Sequence, residues 1–211
     1  MKYIEEGAFM GVFNGKKSLN LRVWHWLSFF TIVGLMFTYV FRKTWFDRHQ
    51  NANLIQNKLV EFGLNINGDN AMTLAKLLRE PMWDWHYILG FIFVFLLLFR
   101  IFAFLSKSEK CPLKKVKSAT NLKEKMVKLT HLVFYFVALY VAISGVILFF
   151  KDDLGLTKES LRLVKTLHVY SFWFFLAFIF AHIIGVVKAE ISSDKGLISE
   201  MFNGGEDKDT K

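Results

Sequence analysis

Two histidines lie in an otherwise apolar stretch of membrane length near the end of the chain. The stretch, residues 167–187, reads LHVYSFWFFLAFIFAHIIGVV, and its histidines are His168 and His182. Fourteen residues of α-helix advance about 21 Å and return to within about 40° of the starting direction. Both imidazoles are therefore expected on one face of one helix, near opposite surfaces of a bilayer. Because ionisable side chains are costly at that depth and usually functional, the pair predicts two stacked sites.

The composition is that of a membrane protein. Hydrophobic residues make up 54% of the 211 residues, and 24 residues are phenylalanine. The first 20 residues lack the continuous apolar segment of a secretory signal peptide, so we expect the first spanning helix to direct insertion. Cys111 is the only cysteine, which excludes an intrachain disulfide, a four-cysteine iron–sulfur site and a covalent Cys-x-x-Cys-His haem attachment.

Four apolar stretches are long enough, or nearly so, to cross about 30 Å of hydrocarbon as helices. They are approximately Val23–Phe41, Trp83–Leu105, Leu129–Phe150 and Leu167–Val187. The sequence therefore predicts an all-α membrane protein. We expect a single four-helix domain over residues 1–205 and a disordered tail over residues 206–211.

The distribution of lysine and arginine predicts the orientation. The net charge is +9, and eight lysines against two glutamates lie between Ser106 and Lys128. A basic cluster between two spans is typical of a cytoplasmic loop, an interpretation we favour over a nucleic-acid-binding surface. The prediction is a multi-pass protein of the bacterial inner membrane with both termini in the cytoplasm. Arg100, late in the second span, is expected to snorkel to the cytoplasmic headgroups.

Two other segments have apolar residues at helical spacing. Between the first two spans, apolar pairs from Leu54 to Leu78 predict short amphipathic helices on the periplasmic face. After the last span, the spacing of four apolar residues predicts a short interfacial helix that ends near Gly204 and Gly205. These residues are Ile191, Leu197, Ile198 and Met201.

The six histidines fall into groups by their expected depth in the membrane. His49 follows the first span in a polar segment and is expected to be a solvated loop residue. No Asp or Glu lies in the middle of a span, as a proton-coupled transporter is expected to need. The others are expected near the cytoplasmic surface (His25, His131 and His182) or near the periplasmic surface (His86 and His168).

Paired imidazoles in a slot rich in aromatic residues fit haem b. Its flat macrocycle packs against apolar side chains, and its iron accepts a neutral imidazole on each axial face. Such iron has no open position for O₂ and is suited to electron transfer. At the periplasmic level the pair is His86 with His168. At the cytoplasmic level His182 has two possible partners, His25 and His131.

Some neighbouring residues also fit a haem. Gly90, one turn after His86, removes side-chain bulk, as the close approach of a porphyrin requires. Gly34, Gly145 and Gly185 either do the same or allow tight helix packing. Arg22, one turn before His25, is a candidate partner for a haem propionate, with a role as a cytoplasmic anchor as the alternative.

Two segments carry a resemblance to a known family. The stretch LRVWHWLSFF (Leu21–Phe30) contains Arg-x-x-His-Trp at the start of the first span. With KAEISSDKGLISEMFNGG (Lys188–Gly205), it resembles the di-haem cytochrome b subunits of membrane-bound nickel–iron hydrogenases. The fourteen-residue spacing of His168 and His182 also resembles that of two wider groups. These are the cytochrome b subunits of membrane formate dehydrogenases and the small free-standing bacterial di-haem cytochromes. The resemblance covers about Asn20 to Gly205.

The resemblance implies a four-transmembrane-helix bundle that encloses two haems b. It implies the axial pairs His25 with His182 and His86 with His168, which leaves His131 unassigned. It also implies a periplasmic hydrogenase whose iron–sulfur and catalytic subunits pass electrons to the haems. The haems then pass the electrons to a quinone near the cytoplasmic face, which we expect to be menaquinone. The chain is then an electron-transfer and quinone-reducing subunit of an oxidoreductase complex, which can itself oligomerise, and no catalytic residue is assigned to it.

Quinone reduction takes up two protons, so titratable groups are expected near the cytoplasmic haem. His131 is the first candidate to bind or protonate a quinone oxygen. Glu190 is a candidate for supplying protons and Met201 for lining an apolar quinone slot, with ordinary interfacial roles as the alternatives.

Other functions stay open at this stage. Within electron transfer, the alternatives are a formate dehydrogenase-type subunit and a free-standing cytochrome b that oxidises quinol. A transporter with a histidine proton relay and a purely structural membrane anchor are the alternatives from other classes, and both predict a protein without haem absorbance.

Overall fold

The computed structural model describes residues 18–106, 116–117, 122–192 and 195–204, which form helices and turns and no strand. The predicted tail over residues 206–211 lies outside the described residues, as does most of the lysine-rich connection. The helices of seven or more residues are α1 (Leu19–Lys43), α2 (Arg48–Glu61), α3 (Gly68–Leu77), α4 (Glu80–Leu105), α5 (Leu122–Phe149), α6 (Arg162–Ser192) and α7 (Leu197–Asn203).

Four of these helices, α1, α4, α5 and α6, are long and apolar enough to cross a membrane. They coincide with the four predicted spans, so the all-α class with four membrane-length helices is confirmed. Each helix begins a few residues before the predicted span. The difference arises because an apolar run marks only the part suited to lipid, whereas backbone hydrogen bonds continue into the polar turns at its ends.

Backbone contacts divide the chain into two compact units. One is Met1–Leu27 with Leu96–Lys211, and the other is Ser28–Phe95. Both boundaries fall inside a membrane-length helix, α1 or α4. The prediction of a single domain over residues 1–205 stays a prediction.

In the unit Ser28–Phe95, α2 and α3 pack against each other through small side chains. Ala71 and Ala75 are fully buried, and Ala52 of α2 is 5% exposed. Ile55 and Met72 pack around these alanines. Alanine at the contact lets the two helix backbones approach closely. The prediction of short helices between the first two spans is therefore confirmed.

Each of these short helices begins at a polar residue that accepts backbone hydrogen bonds. The carboxylate of Asp47 accepts from the N–H groups of His49 (3.0 Å) and Gln50 (3.1 Å), which satisfies two donors of the first turn of α2. These bonds, that of Gln50 foremost, hold the pKa of Asp47 below its ordinary value. His49, expected in a loop, instead lies in the first turn of α2, where it is exposed.

In the other unit, α7 forms the short helix predicted after the last span. It lies between two glycines in the left-handed region, Gly196 and Gly204, each with φ of 93°. The predicted end near Gly204 is confirmed, whereas Ile191 belongs to the last turn of α6.

The alanine contact between α2 and α3 yields the first prediction. Ala71→Leu adds three heavy atoms where no space is left, and we expect it to destabilise this helix pair by about 1–3 kcal/mol. The measurement is hydrogen exchange of the α2 and α3 amides, which should accelerate. Lys76→Leu, at an exposed position of α3, is the control. Equal exchange in the two variants would contradict the packing described.

Candidate functional site

Three histidine rings meet in the unit that contains α5 and α6. His182 of α6 lies next to His25 of α1, with ring centroids 6.0 Å apart and planes tilted by 51°. It also lies next to His131 of α5, with centroids 5.8 Å apart and planes at 83°. The sequence left these two residues as alternative partners of His182, and the structure brings both into contact with it.

The surroundings of the three rings are aromatic. Phe178, one turn before His182, stacks on it with centroids 5.8 Å apart and planes only 6° apart. The same phenylalanine meets the edge of His131 at 6.1 Å and stacks on Phe134 at 4.6 Å. An apolar wall of this kind suits a flat aromatic cofactor and is costly for three polar rings that lack one.

The hydrogen bonds of the three rings differ. Nδ1 of His131 lies 2.8 Å from the carbonyl of Val127, so it donates to that oxygen and keeps its lone pair at Nε2. In the part of the chain that the structure describes, no hydrogen bond joins the ring of His25 or of His182 to another group. These two imidazoles are thus available to a ligand at both nitrogens.

The geometry of His25 and His182 fits a shared metal ion. Two imidazoles on opposite sides of one ion, each at about 2 Å, have ring centroids about 6 Å apart. The centroids of His25 and His182 are 6.0 Å apart. The distance from His182 to His131 is nearly the same, so distance alone does not choose between the two partners.

His86 lies on α4 in the unit Ser28–Phe95, where a buried hydroxyl contacts it. Nδ1 of His86 is 2.7 Å from Oγ1 of Thr38, and Thr38 donates to the carbonyl of Leu35 at 2.6 Å. Thr38 is only 7% exposed. The sequence predicted His86 as a ligand but gave no sign of Thr38.

His168 has a similar environment within the other unit. Its Nδ1 lies 2.8 Å from Oγ of Ser144, which donates to the carbonyl of Val141 at 3.1 Å. A Cβ at Gly145 would lie 3.3 Å from Cε1 of His168, so this glycine allows close packing of the ring against α5. His86 and His168 belong to different units, and their pairing stays a prediction.

The other glycines fall into two groups. A Cβ at Gly34 would meet Leu89 at 2.9 Å, which indicates tight packing of α1 against α4. A Cβ at Gly90 or at Gly185 would meet no atom within 4 Å. The space beside Gly90 is consistent with the prediction that this position accommodates a bulky group.

Arg22 holds the C-terminal helix α7 to the start of α1. One terminal nitrogen of its guanidinium donates to the carbonyl of Phe202 at 3.0 Å. Its Nε is buried and has no hydrogen-bond partner in the described residues. A buried N–H of this kind, one turn before His25, fits the predicted contact with an acidic group.

Met201 and Glu190 also fix α7. The carbonyl of Met201 accepts from Nε1 of Trp26 at 3.2 Å. The carboxylate of Glu190 accepts from the backbone N–H groups of Gly196 (2.8 Å) and Ile198 (2.9 Å). Both residues thus have a structural role beside the His25 end of the site, and their roles toward quinone stay predictions.

Arg100 is buried, contrary to the expectation that it snorkels. It is 5% exposed, and its Nε donates to the hydroxyl of Tyr135 at 3.2 Å. Its guanidinium lies over the rings of Trp24 (4.9 Å) and Phe104 (4.7 Å). These aromatic contacts stabilise the cation within the helices, so it does not need to reach the headgroups.

A sequence model of the prokaryotic cytochrome b561 family matches residues 18–204. The matched region contains His25, His86, His131, His168 and His182 and the four membrane-length helices. Comparison with curated proteins and comparison with solved structures gave no significant match. Because the family match covers residues 18–204 of the 211, this chain belongs to the prokaryotic cytochrome b561 family, whose members are multi-pass membrane electron-transfer proteins that bind haem b.

Proposed function

We propose that this cytochrome carries electrons from a periplasmic nickel–iron hydrogenase through two bis-histidine haems b to a quinone near the cytoplasmic face. The quinone in this proposal is menaquinone. The main support is the contact between His25 and His182 inside a region matched by a haem b family. The resemblance of Leu21–Phe30 and Lys188–Gly205 to hydrogenase cytochrome b subunits supports the partner. The basic connection between α4 and α5 supports an orientation with both termini in the cytoplasm.

Haem supplies one-electron redox chemistry, and the chain supplies its ligands and its surroundings. His25 and His182 would hold the cytoplasmic haem, and His86 and His168 the periplasmic one. The aromatic wall formed by Phe178 and Phe134 would limit the access of water to the His182 end. The buried Nε of Arg22 would donate to a haem propionate.

The quinone site belongs, in this proposal, on the cytoplasmic side of His182. His131 directs Nδ1–H toward the carbonyl of Val127, so Nε2 carries the lone pair and is the atom that would accept the hydrogen bond of a quinol hydroxyl. The carbonyl of Met201 links α7 to α1 and the carboxylate of Glu190 links it to α6, and α7 would cover this site from the cytoplasm. The phenyl ring of Phe202, 4.6 Å from Trp26, extends the same apolar surface.

The docked partner separates this function from its alternatives. Co-purification with a nickel–iron subunit and its iron–sulfur protein supports the hydrogenase assignment. Co-purification with a formate dehydrogenase, or isolation of an active quinol-oxidising protein without a partner, supports one of the alternatives instead.

Haem content tests the ligand assignment. The wild-type chain should bind two haems b, measured as haem per chain after purification in detergent. His25→Ala and His182→Ala should each lose one haem and retain the same remaining spectrum. His86→Ala and His168→Ala should lose the other haem. His131→Ala should retain both, because His131 is not a ligand in this assignment.

Two outcomes would overturn the ligand assignment. One is a wild-type chain with a single haem. The other is loss of a haem in His131→Ala with both haems retained in His25→Ala, which would make His131 the partner of His182.

The role of His131 toward quinone gives a separate prediction. His131→Ala should slow oxidation of a quinol analogue by about tenfold or more, because the quinol hydroxyl loses the nitrogen that accepts its hydrogen bond and its proton. The measurement is stopped-flow reduction of the haems by the quinol. His49→Ala, at an exposed position of α2, is the matched control. Unchanged quinol kinetics in a His131→Ala protein with both haems would contradict the role.

A further inference from the structure

Two buried hydroxyls contact histidines in the same way at separate places in the structure. Thr38 of α1 contacts His86, and Ser144 of α5 contacts His168. Thr38 is 7% exposed and Ser144 only 1%. Each hydroxyl also lies at hydrogen-bonding distance from a carbonyl of its own helix, three residues earlier.

Because each hydroxyl has a single hydrogen, its two contacts determine which nitrogen of the imidazole carries the proton. A hydroxyl has one hydrogen to donate, and Thr38 directs it to the carbonyl of Leu35 at 2.6 Å. The 2.7 Å contact with His86 therefore requires the imidazole Nδ1–H to donate to the threonine oxygen. Nε2 of His86 then carries the lone pair that a metal needs.

The same reasoning applies to His168. Ser144 donates to the carbonyl of Val141 at 3.1 Å and accepts at 2.8 Å from Nδ1–H of His168, whose ring also interacts with the backbone of Val141. Gly145 lets the ring lie against α5, because a Cβ there would be 3.3 Å from Cε1 of His168. His168 is thus also held with its lone pair on Nε2.

His25 and His182 differ in this respect. Within the described residues, neither ring makes a hydrogen bond, and the neighbours of His182 are the rings of His25, His131 and Phe178. The four predicted ligands therefore divide into two that donate Nδ1–H to a hydroxyl and two that do not. This division follows the two predicted axial pairs.

We propose that Thr38 and Ser144 are positioning residues that lower the reduction potential of the haem held by His86 and His168 below that of the haem held by His25 and His182. An imidazole that donates its Nδ1–H is a more basic ligand, and a more basic ligand stabilises ferric over ferrous iron. The inference rests on the proposed function, because it takes the axial pairs from there.

The consequence is a direction for electron flow. One electron would pass from ferrous iron held by His86 and His168 to ferric iron held by His25 and His182, so that the first haem would be oxidised and the second reduced. No bond forms or breaks. The iron–sulfur protein of the proposed partner replaces the electron, and quinone accepts it after transfer. Flow from the periplasmic to the cytoplasmic haem is then favourable, as reduction of quinone by a periplasmic donor requires.

Redox titration of the purified chain tests this inference without a partner or quinone. The absorbance of the reduced haems should resolve two one-electron components in the wild-type protein. Thr38→Val and Ser144→Ala each remove a hydroxyl, and each should raise the potential of the lower component. We expect a change of about tenfold in its reduction equilibrium, or about 59 mV for one electron. The higher component should stay unchanged.

Matched variants separate loss of the hydroxyl from disturbed packing. Thr38→Ser keeps the hydroxyl and should keep the wild-type potential. Thr44→Val is the second control, because Thr44 makes a similar bond to the carbonyl of Val40 but makes no hydrogen bond to a histidine within the described residues. If Thr38→Val binds too little haem for titration, Ser144→Ala decides the test.

The possible failures are distinguishable. A wild-type chain that binds fewer than two haems would overturn the proposed function and the inference with it. Two haems whose potentials stay the same in Thr38→Val and Ser144→Ala would overturn the inference alone. A shift of the higher component, or shifts of different components in the two variants, would also overturn it.

Discussion

The nitrogens of an imidazole inside a membrane-length helix need partners, because no water is present there to supply them. The chain meets this constraint in two ways. Nδ1 of His86 and Nδ1 of His168 each lie within hydrogen-bonding distance of a hydroxyl that is itself bonded to its own helix backbone. His25 and His182 instead meet each other among aromatic rings, with no hydrogen bond from either ring in the described residues. Haem iron, which accepts one nitrogen from each of two imidazoles, would satisfy the ligating nitrogen in both of the proposed pairs.

The two solutions have different chemical consequences. A hydrogen bond at Nδ1 fixes which nitrogen carries the proton and makes the ring a stronger donor to iron. A ring without that bond is held by packing alone, and here Phe178 lies almost parallel to His182. The chain would thus have local means to give different properties to the two haems proposed for it, which are chemically identical.

Polar residues at the helix ends fix the position of α7 near the start of α1, which carries His25. Arg22, Trp26 and Glu190 hold α7 by its backbone, with Arg22 and Trp26 bound to carbonyls near its C-terminus and Glu190 to N–H groups near its start. Backbone atoms make these bonds, so the side chains of α7 are not committed by them. Arg22 also precedes His25 by one turn, which links the position of α7 to that of a predicted ligand.

The sequence by itself determined the four membrane-length helices, the short helices α2, α3 and α7, and the histidines they carry. Hydrophobicity, helical spacing and terminal glycines are local properties that can be read from neighbouring residues. It left the partner of His182 open between His25 and His131, and the structure brings both rings into contact with it.

Only the tertiary structure decided which polar groups meet. Thr38 and His86 are 48 positions apart, Ser144 and His168 are 24 apart, and Arg22 and Phe202 are 180 apart. A threonine or serine in an apolar helix bonds to its own backbone whatever lies opposite, so its sequence neighbourhood gives no sign of a second partner. Arg100 was misjudged for the same reason, since its aromatic neighbours Trp24 and Tyr135 come from other helices. Contacts between helices depend on how their faces pack, and packing is a property of the folded chain.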